Sequence, residues 1–168
     1  MNRSSKWITF LGSILLSAGM LQSCNSNDSK PANLGDLERL NLLSLDSSRF
    51  QITQGQLKQS VLLIVFNPTC EHCQAEAREI KANIEKLKDV TILMIASVQL
   101  KDIHDFSIQY GLSELENVHF AYTSPLYGYQ FFGGIQLPHL RLYDHELRMI
   151  KSFPGSTSVE HIVSQLNR

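Results

Sequence analysis

VLLIVFNPTCEHCQAEAREI, Val61 to Ile80, decides how the rest of the chain is read. It opens on an unbroken β-branched and aliphatic run, Val61 to Phe66, the mark of a strand buried on both faces. Asn67-Pro68-Thr69 breaks the run. Beyond it the apolar positions are Cys73, Ala77, Ile80, Ile84 and Leu87, in steps of three and four. That is one helical stripe, and it predicts a helix from Glu71 to Lys88. Cys70 and Cys73 therefore stand where a buried strand hands over to a helix. Such a pair can be a redox couple, half of a metal site, or two structural thiols that lie close.

The junction gives the pair a direct chemical reading. Cys70 sits at or near the helix N-cap, where free backbone N–H groups and the helix dipole stabilise a thiolate. A thiol of pKa ~8.5 is a few per cent ionised at pH 7, and one lowered to ~6.5 is mostly ionised. Cys73 lies one turn deeper, within reach of a mixed disulfide formed at Cys70, so the spacing supplies a nucleophile and a resolver. His72, between them, either favours the Cys70 thiolate as an imidazolium or is a solvated helix-start residue. Glu71 acts against the thiolate if it points at the sulfur. Glu76, three residues past Cys73 on the same helical face, either holds a proton for Cys73 or is an ordinary exposed glutamate.

Length and charge bound the rest. The chain has 168 residues, enough for one domain, with 15 basic against 16 acidic residues and nothing that suggests a nucleic-acid partner. The N-terminus, MNRSSKWITFLGSILLSAGMLQSC, carries Arg3 and Lys6 and then an apolar stretch to about Leu21. It is short for a membrane span, which needs about 20 apolar residues, and it fits a secretory signal. Its ending LQSC resembles the lipobox of bacterial lipoproteins, with the less usual Gln22 inside it. The resemblance implies a signal peptide over 1–23, a lipid attached at Cys24, and residence in the cell envelope, anchored to a membrane and facing the periplasm or exterior. The alternative is an uncleaved anchor helix. Residues 24–36 are small and polar and read as a flexible tether; the folded domain is expected over 37–168.

Of three cysteines in the chain, a lipidated Cys24 leaves only Cys70 and Cys73. An exported compartment permits disulfides. A Cys70–Cys73 bond closes so small a loop that chain entropy gives it little structural value, so its use is chemical.

The remaining pattern alternates strands and helices. LLSLDSSRFQI reads as two short strands about a turn at Asp46-Ser47-Ser48, an N-terminal hairpin extension. VTILMIASV is a second buried strand. LKDIHDFSIQYG is a helix closed by Gly111. NVHFAY is a short strand. SPLYGYQFFGG is a helix begun by Ser-Pro and ended by glycines. LPHLRLYD and LRMIKSF are strands about a turn near Asp144-His145-Glu146, and STSVEHIVSQL is a terminal helix with a Ser/Thr cap. The order predicts an α/β fold, a central mixed β-sheet flanked by helices on both faces.

The segments VLLIVFNPTCEHCQAE, TILMIASV, YGYQFFGGIQLPHLRLYD and MIKSFPGSTSVEHIVSQL together resemble the thioredoxin-like TlpA/ResA group of exported thiol–disulfide oxidoreductases, which is related to the redoxins. The resemblance implies a thioredoxin-like fold. It implies that Pro138 is a cis-proline set against the CxxC and that the backbone at Leu137 pairs with the bound substrate chain. It also singles out Glu76, because ResA-like members carry an active-site glutamate at this spacing. There are departures. Thr69 replaces the tryptophan usual before the first cysteine, Arg78 replaces a helix proline, and Ile64 stands where thioredoxin has a buried aspartate. His139 follows the proline where many members have threonine; it either approaches the sulfurs or is a strand residue facing elsewhere.

Rival readings are weaker. A structural zinc site normally uses four ligands and only one CxxC is present. Haem attachment needs CxxCH, and Gln74 follows Cys73. A Cu(I) carrier using Cys70, Cys73 and His139 is one alternative, and a thiol peroxidase-like redoxin is another. The expected activity is thiol–disulfide exchange, with Cys70 and Cys73 as the couple and Pro138, Glu76 and His72 beside them. Leu137, Thr69, Glu71 and His139 line the substrate groove. The redox centre is the Cys70–Cys73 disulfide, with no added cofactor or metal. The partners are thiol- or disulfide-bearing proteins and a membrane electron donor or acceptor.

Overall fold

The computed structural model describes residues 30–166. The expected signal peptide, the lipid site at Cys24 and most of the tether lie outside them.

The apolar run at Val61 forms the centre of the sheet. β1 (Ser60–Val65) pairs in parallel with β2 (Val90–Ala96), from Ser60↔Val90 to Val65↔Ile95. β3 (Val118–Tyr122) continues in parallel on the far side of β2. β4 (His139–Tyr143) runs antiparallel to β1, and β5 (Met149–Pro154) antiparallel to β4. The sheet is 5-stranded, in the order β3-β2-β1-β4-β5. Every residue of β2 is buried, which is why that strand reads as a continuous apolar run.

Helices cover both faces, as the alternation of elements predicts. α1 (Glu71–Ala82), α2 (Leu100–Gln109) and α4 (Val159–Leu166) send Ala77, Ile80, Ile103, Phe106, Val159 and Ile162 against Leu62, Ile64, Leu140 and Leu142. On the other face, Leu37 and Leu40 of a 3-10 turn (Gly35–Leu40) pack against Leu63, Leu93 and Ile95. Phe131 and Phe132 of α3 (Pro125–Phe132) cover the same side. Burying one such Leu or Ile side chain contributes about 1.5–3 kcal/mol.

The helix punctuation follows the sequence signals. The Ser124 hydroxyl accepts the Tyr127 N–H at 3.3 Å, and Gly111 closes α2 at φ +63°. Asp144 organises the β4–β5 turn by accepting the N–H groups of Glu146 (2.9 Å) and Arg148 (3.0 Å).

Two elements differ from expectation. The helix of the CxxC stops at Ala82, not Lys88. Asn83 (φ −117°, ψ 21°) leaves the helical region and donates from Nδ2 to the Glu79 carbonyl at 3.1 Å. A 3-10 turn, Ile84–Leu87, then keeps Leu87 inward, so the apolar stripe runs on across a change of helix type. The N-terminal hairpin is reduced to a tight turn with the isolated bridge Leu43↔Arg49. Its ladder ends because Leu43 turns to β3: Leu43 and Tyr122 exchange hydrogen bonds of 2.9 and 2.8 Å. This covers part of an edge that would otherwise present unpaired groups. Contacts of this segment begin early, with Pro31 bridged to Thr53 and Leu34 buried.

Candidate active site

The site is built at the exit of β1. The Phe66 N–H makes a last bond to β2, to the Ile95 carbonyl at 3.0 Å. The next residue, Asn67, lies past the end of the strand. The Asn67 carbonyl accepts the Cys70 N–H at 3.0 Å. Its side-chain Oδ1 accepts both the Thr69 N–H (3.0 Å) and the Thr69 hydroxyl (2.9 Å). From α1, Gln74 Nε2 donates to the Pro68 carbonyl at 2.9 Å.

Cys70 is the N-cap of α1, with extended backbone (φ −83°, ψ 117°), and is partly exposed. Cys73 faces the core at 1% exposure. Both are free thiols in this structure. Burial pushes the Cys70 thiol up, but the neighbouring Cys73 thiol and the helix-start N–H groups of Cys73 and His72 outweigh it. The result is a lowered pKa, with Glu71 opposing. The Cys73 thiol is pushed up to about 12, first by burial, then by its bond to Cys70 and the charges of Cys70 and Glu76. The Asn67 N–H works against this rise. The two sulfurs are thus strongly unequal, an ionisable one at the surface and a protonated one beneath it.

Glu76 is no surface glutamate: it is 2% exposed on the inner face of α1. Burial raises its carboxyl to about 7, the Thr157 N–H lowers it in part, and the charge of Glu79 raises it further. Its Oε2 accepts the Thr157 N–H at 3.0 Å, while Oε1 is buried with no protein partner.

Opposite the cysteines the Leu137–Pro138 bond is cis. The Leu137 carbonyl lies 3.9 Å from Cys70 Sγ. The loop after β5 joins these parts: Gly155 N–H donates to the Pro138 carbonyl (2.9 Å), Ser156 Oγ to the His72 carbonyl (3.2 Å), and Thr157 N–H to Glu76.

The structure therefore brings Cys70, Cys73, Glu76, Leu137 and Pro138 together. Thr69, Glu71 and His72 stand exposed around Cys70. His139 is turned away. Its Nε2 lies 3.0 Å from the Ser152 hydroxyl on β5, and its ring meets Phe132 at 6.2 Å. Burial and the charge of Arg141 lower its pKa. Strand alternation explains the outcome, since Leu140 and Leu142 point to the α1 side and His139 to the α3 side. Among the described residues no three His, Cys, Asp or Glu side chains converge as a set able to hold a metal ion. Asn67, Gln74, Thr157 and Glu79 were not singled out from the sequence. Only Asn67 had a local signal there, an Asn-Pro turn ending a strand.

No protein-family model matches the sequence, and no curated protein matches it. Solved structures do. A secreted Mycobacterium tuberculosis disulfide oxidoreductase homologous to E. coli DsbE superposes with TM-score 0.61 at 17% identity, over 79% of this chain and 98% of that one. StoA from Bacillus subtilis gives TM-score 0.55 at 14% identity, over 70% of this chain and 90% of that one. Copper-bound ScoI from Arabidopsis thaliana gives TM-score 0.57 at 14% identity, over 75% and 94%. The fold is thioredoxin-like.

Proposed function

We propose that this chain is a thiol–disulfide oxidoreductase of the cell envelope, held to a membrane by lipid at Cys24. It exchanges disulfides with substrate proteins through Cys70 and Cys73. The observation that carries the reading is the inequality of the two thiols: Cys70, ionisable at a helix N-cap and facing the carbonyl before a cis-proline, and Cys73, buried beneath it.

In the reducing direction the Cys70 thiolate attacks one sulfur of a substrate disulfide. A Cys70–substrate bond forms, the substrate S–S bond breaks, and one substrate sulfur leaves as a thiolate. Cys73 then gives up its proton and attacks the Cys70 sulfur. The Cys70–Cys73 bond forms, and the second substrate sulfur leaves with the electron pair. The substrate disulfide has gained two electrons and the CxxC pair has lost them. Glu76, with a carboxyl near neutrality, takes the Cys73 proton. The Leu137 backbone beside Cys70 is placed to pair with the substrate chain. A membrane electron donor restores the dithiol, and the reverse sequence oxidises substrates.

Dithiol-driven reduction of a protein disulfide tests this. Cys70→Ser is expected to abolish it; wild-type rates in that variant contradict the proposal. The Cu(I) reading shares a fold with ScoI, but its third ligand, His139, is bonded to Ser152. Copper titration of the reduced chain separates the two, and tight binding lost in His139→Ala favours the carrier.

A further inference from the structure

Three consecutive residues after β5 reach three separate parts of the site. The Gly155 N–H donates to the Pro138 carbonyl at 2.9 Å, the Ser156 hydroxyl to the His72 carbonyl at 3.2 Å, and the Thr157 N–H to Glu76 Oε2 at 3.0 Å. Gly155 stands at φ +91°, a conformation open to glycine. Both ends of this loop are fixed. Pro154 pairs with His139 at the end of the β4–β5 ladder, and the Ser158 hydroxyl accepts the His161 N–H at 3.2 Å where α4 begins. The Thr157 hydroxyl is paired with His161 Nδ1 at 3.3 Å. Ser156 is thus the residue between them whose hydroxyl crosses to α1.

The crossing joins the two walls of the site. One wall is Leu137 and Pro138, which lead into β4; the other is the turn from Cys70 to Cys73 that opens α1, with His72 inside it. Cys70 Sγ and the Leu137 carbonyl face each other at 3.9 Å. Gly155 holds the first wall through its backbone, and Ser156 holds the second through its side chain. A substrate chain that pairs with the Leu137 backbone must bring its sulfur to Cys70 across this gap, so its rate depends on the spacing. A disulfide of a few atoms that meets Cys70 alone has no such dependence. Ser156 is exposed, so loss of its hydroxyl opens no cavity.

We propose that Ser156 is a positioning residue for extended substrates: its hydroxyl clasps the CxxC turn to the loop that carries the cis-proline wall, and so sets the gap in which a substrate chain lies. The proposal rests on the exchange reading above and gives it a substrate class, a disulfide borne on an extended peptide segment. In the step concerned, the Cys70 thiolate attacks the peptide sulfur and a Cys70–peptide bond forms. The disulfide bond of the substrate breaks, and its other sulfur leaves as a thiolate with the electron pair. Without the Ser156 hydroxyl the two walls lose their side-chain tie, and the peptide sulfur is held less well against Cys70.

The test compares two probes on the reduced full chain: bis(2-hydroxyethyl) disulfide, and an extended peptide whose one cysteine is disulfide-bonded to 2-mercaptoethanol. Acid-quenched time courses with peptide mass mapping give the rate of attack by Cys70 on each. Wild type is expected to take the peptide faster than the small disulfide. In Ser156→Ala the ratio of the peptide rate to the small-disulfide rate is expected to fall by roughly three- to tenfold, the worth of one ordinary hydrogen bond. Ser156→Thr, which keeps a hydroxyl, is expected to recover most of that ratio. A wild-type ratio in Ser156→Ala overturns the proposal, whether both rates are kept or both fall together, because a loosened fold slows both probes alike. A threonine variant as poor as the alanine variant overturns it as well, since the hydroxyl is then not what acts. Wild type that takes the peptide no faster than the small disulfide overturns it too. If wild-type Cys70 reacts with neither probe, the exchange reading itself falls, and that result is seen before any variant is compared.

Discussion

At the residue scale the division of labour follows from where each sulfur stands relative to one helix end. Cys70 meets free N–H groups at partial exposure, and Cys73 meets the core. Glu76 carries the clearest pH consequence. Its ordinary carboxyl value of 4.5 is raised to about 7 on folding. Below pH 4.5 both folded and unfolded chains hold the proton, and the residue costs nothing. Between 4.5 and about 7 the unfolded chain ionises first, so stability falls as pH rises, and above about 7 the loss levels off. The shift corresponds to about 3 kcal/mol. Denaturant unfolding across this window is expected to show a decline in wild type that Glu76→Gln lacks; parallel curves for the two proteins contradict the assignment. The same group gives an expectation for rate. Resolution by Cys73 in wild type should rise through an inflection near pH 7 as Glu76 becomes able to accept a proton, and Glu76→Gln should lose that inflection.

At the element scale, α1 does two jobs with two faces. Its start presents the cysteines, and its inner stripe anchors that start to the sheet through Ala77 and Ile80, both fully buried. Ile80→Ala leaves the cysteines untouched and opens a cavity between α1 and the sheet, so it is expected to cost about 2–5 kcal/mol in denaturant unfolding. A loss below about 1 kcal/mol contradicts the packing described. The stripe was legible in the sequence because helical spacing is periodic. The break at Asn83 was not, since the 3-10 turn after it keeps Leu87 inward and so preserves the apolar pattern. The facing of His139 was legible in principle from the alternation along β4. The contacts of Glu76 with Thr157, and of Glu79 Oε1 with the Val159 N–H at 3.4 Å, join α1 to the start of α4 across a long sequence separation. No local pattern encodes them.

At the scale of the whole molecule, the sheet order places two distant segments at one point. β1 is central and β4 is its antiparallel neighbour, so the exit of β1, with Cys70, lies beside the entry of β4, with Pro138. The α/β class and the strand–CxxC–helix junction could be read from periodicity. The cis bond at Pro138 could be expected only through resemblance, because nothing local distinguishes cis from trans before a proline. That meeting of segments sets the Leu137 carbonyl 3.9 Å from Cys70 Sγ, and the proposed exchange takes place there. In the proposed exchange Cys70 takes the substrate and Cys73 releases it. The most direct measurement is to treat reduced Cys73→Ser and Cys70→Ser full chains with a protein disulfide and map the adducts by peptide mass. A persistent mixed disulfide is expected at Cys70 in Cys73→Ser, and none at Cys73 in Cys70→Ser. An adduct that accumulates at Cys73, or no adduct at Cys70, contradicts it.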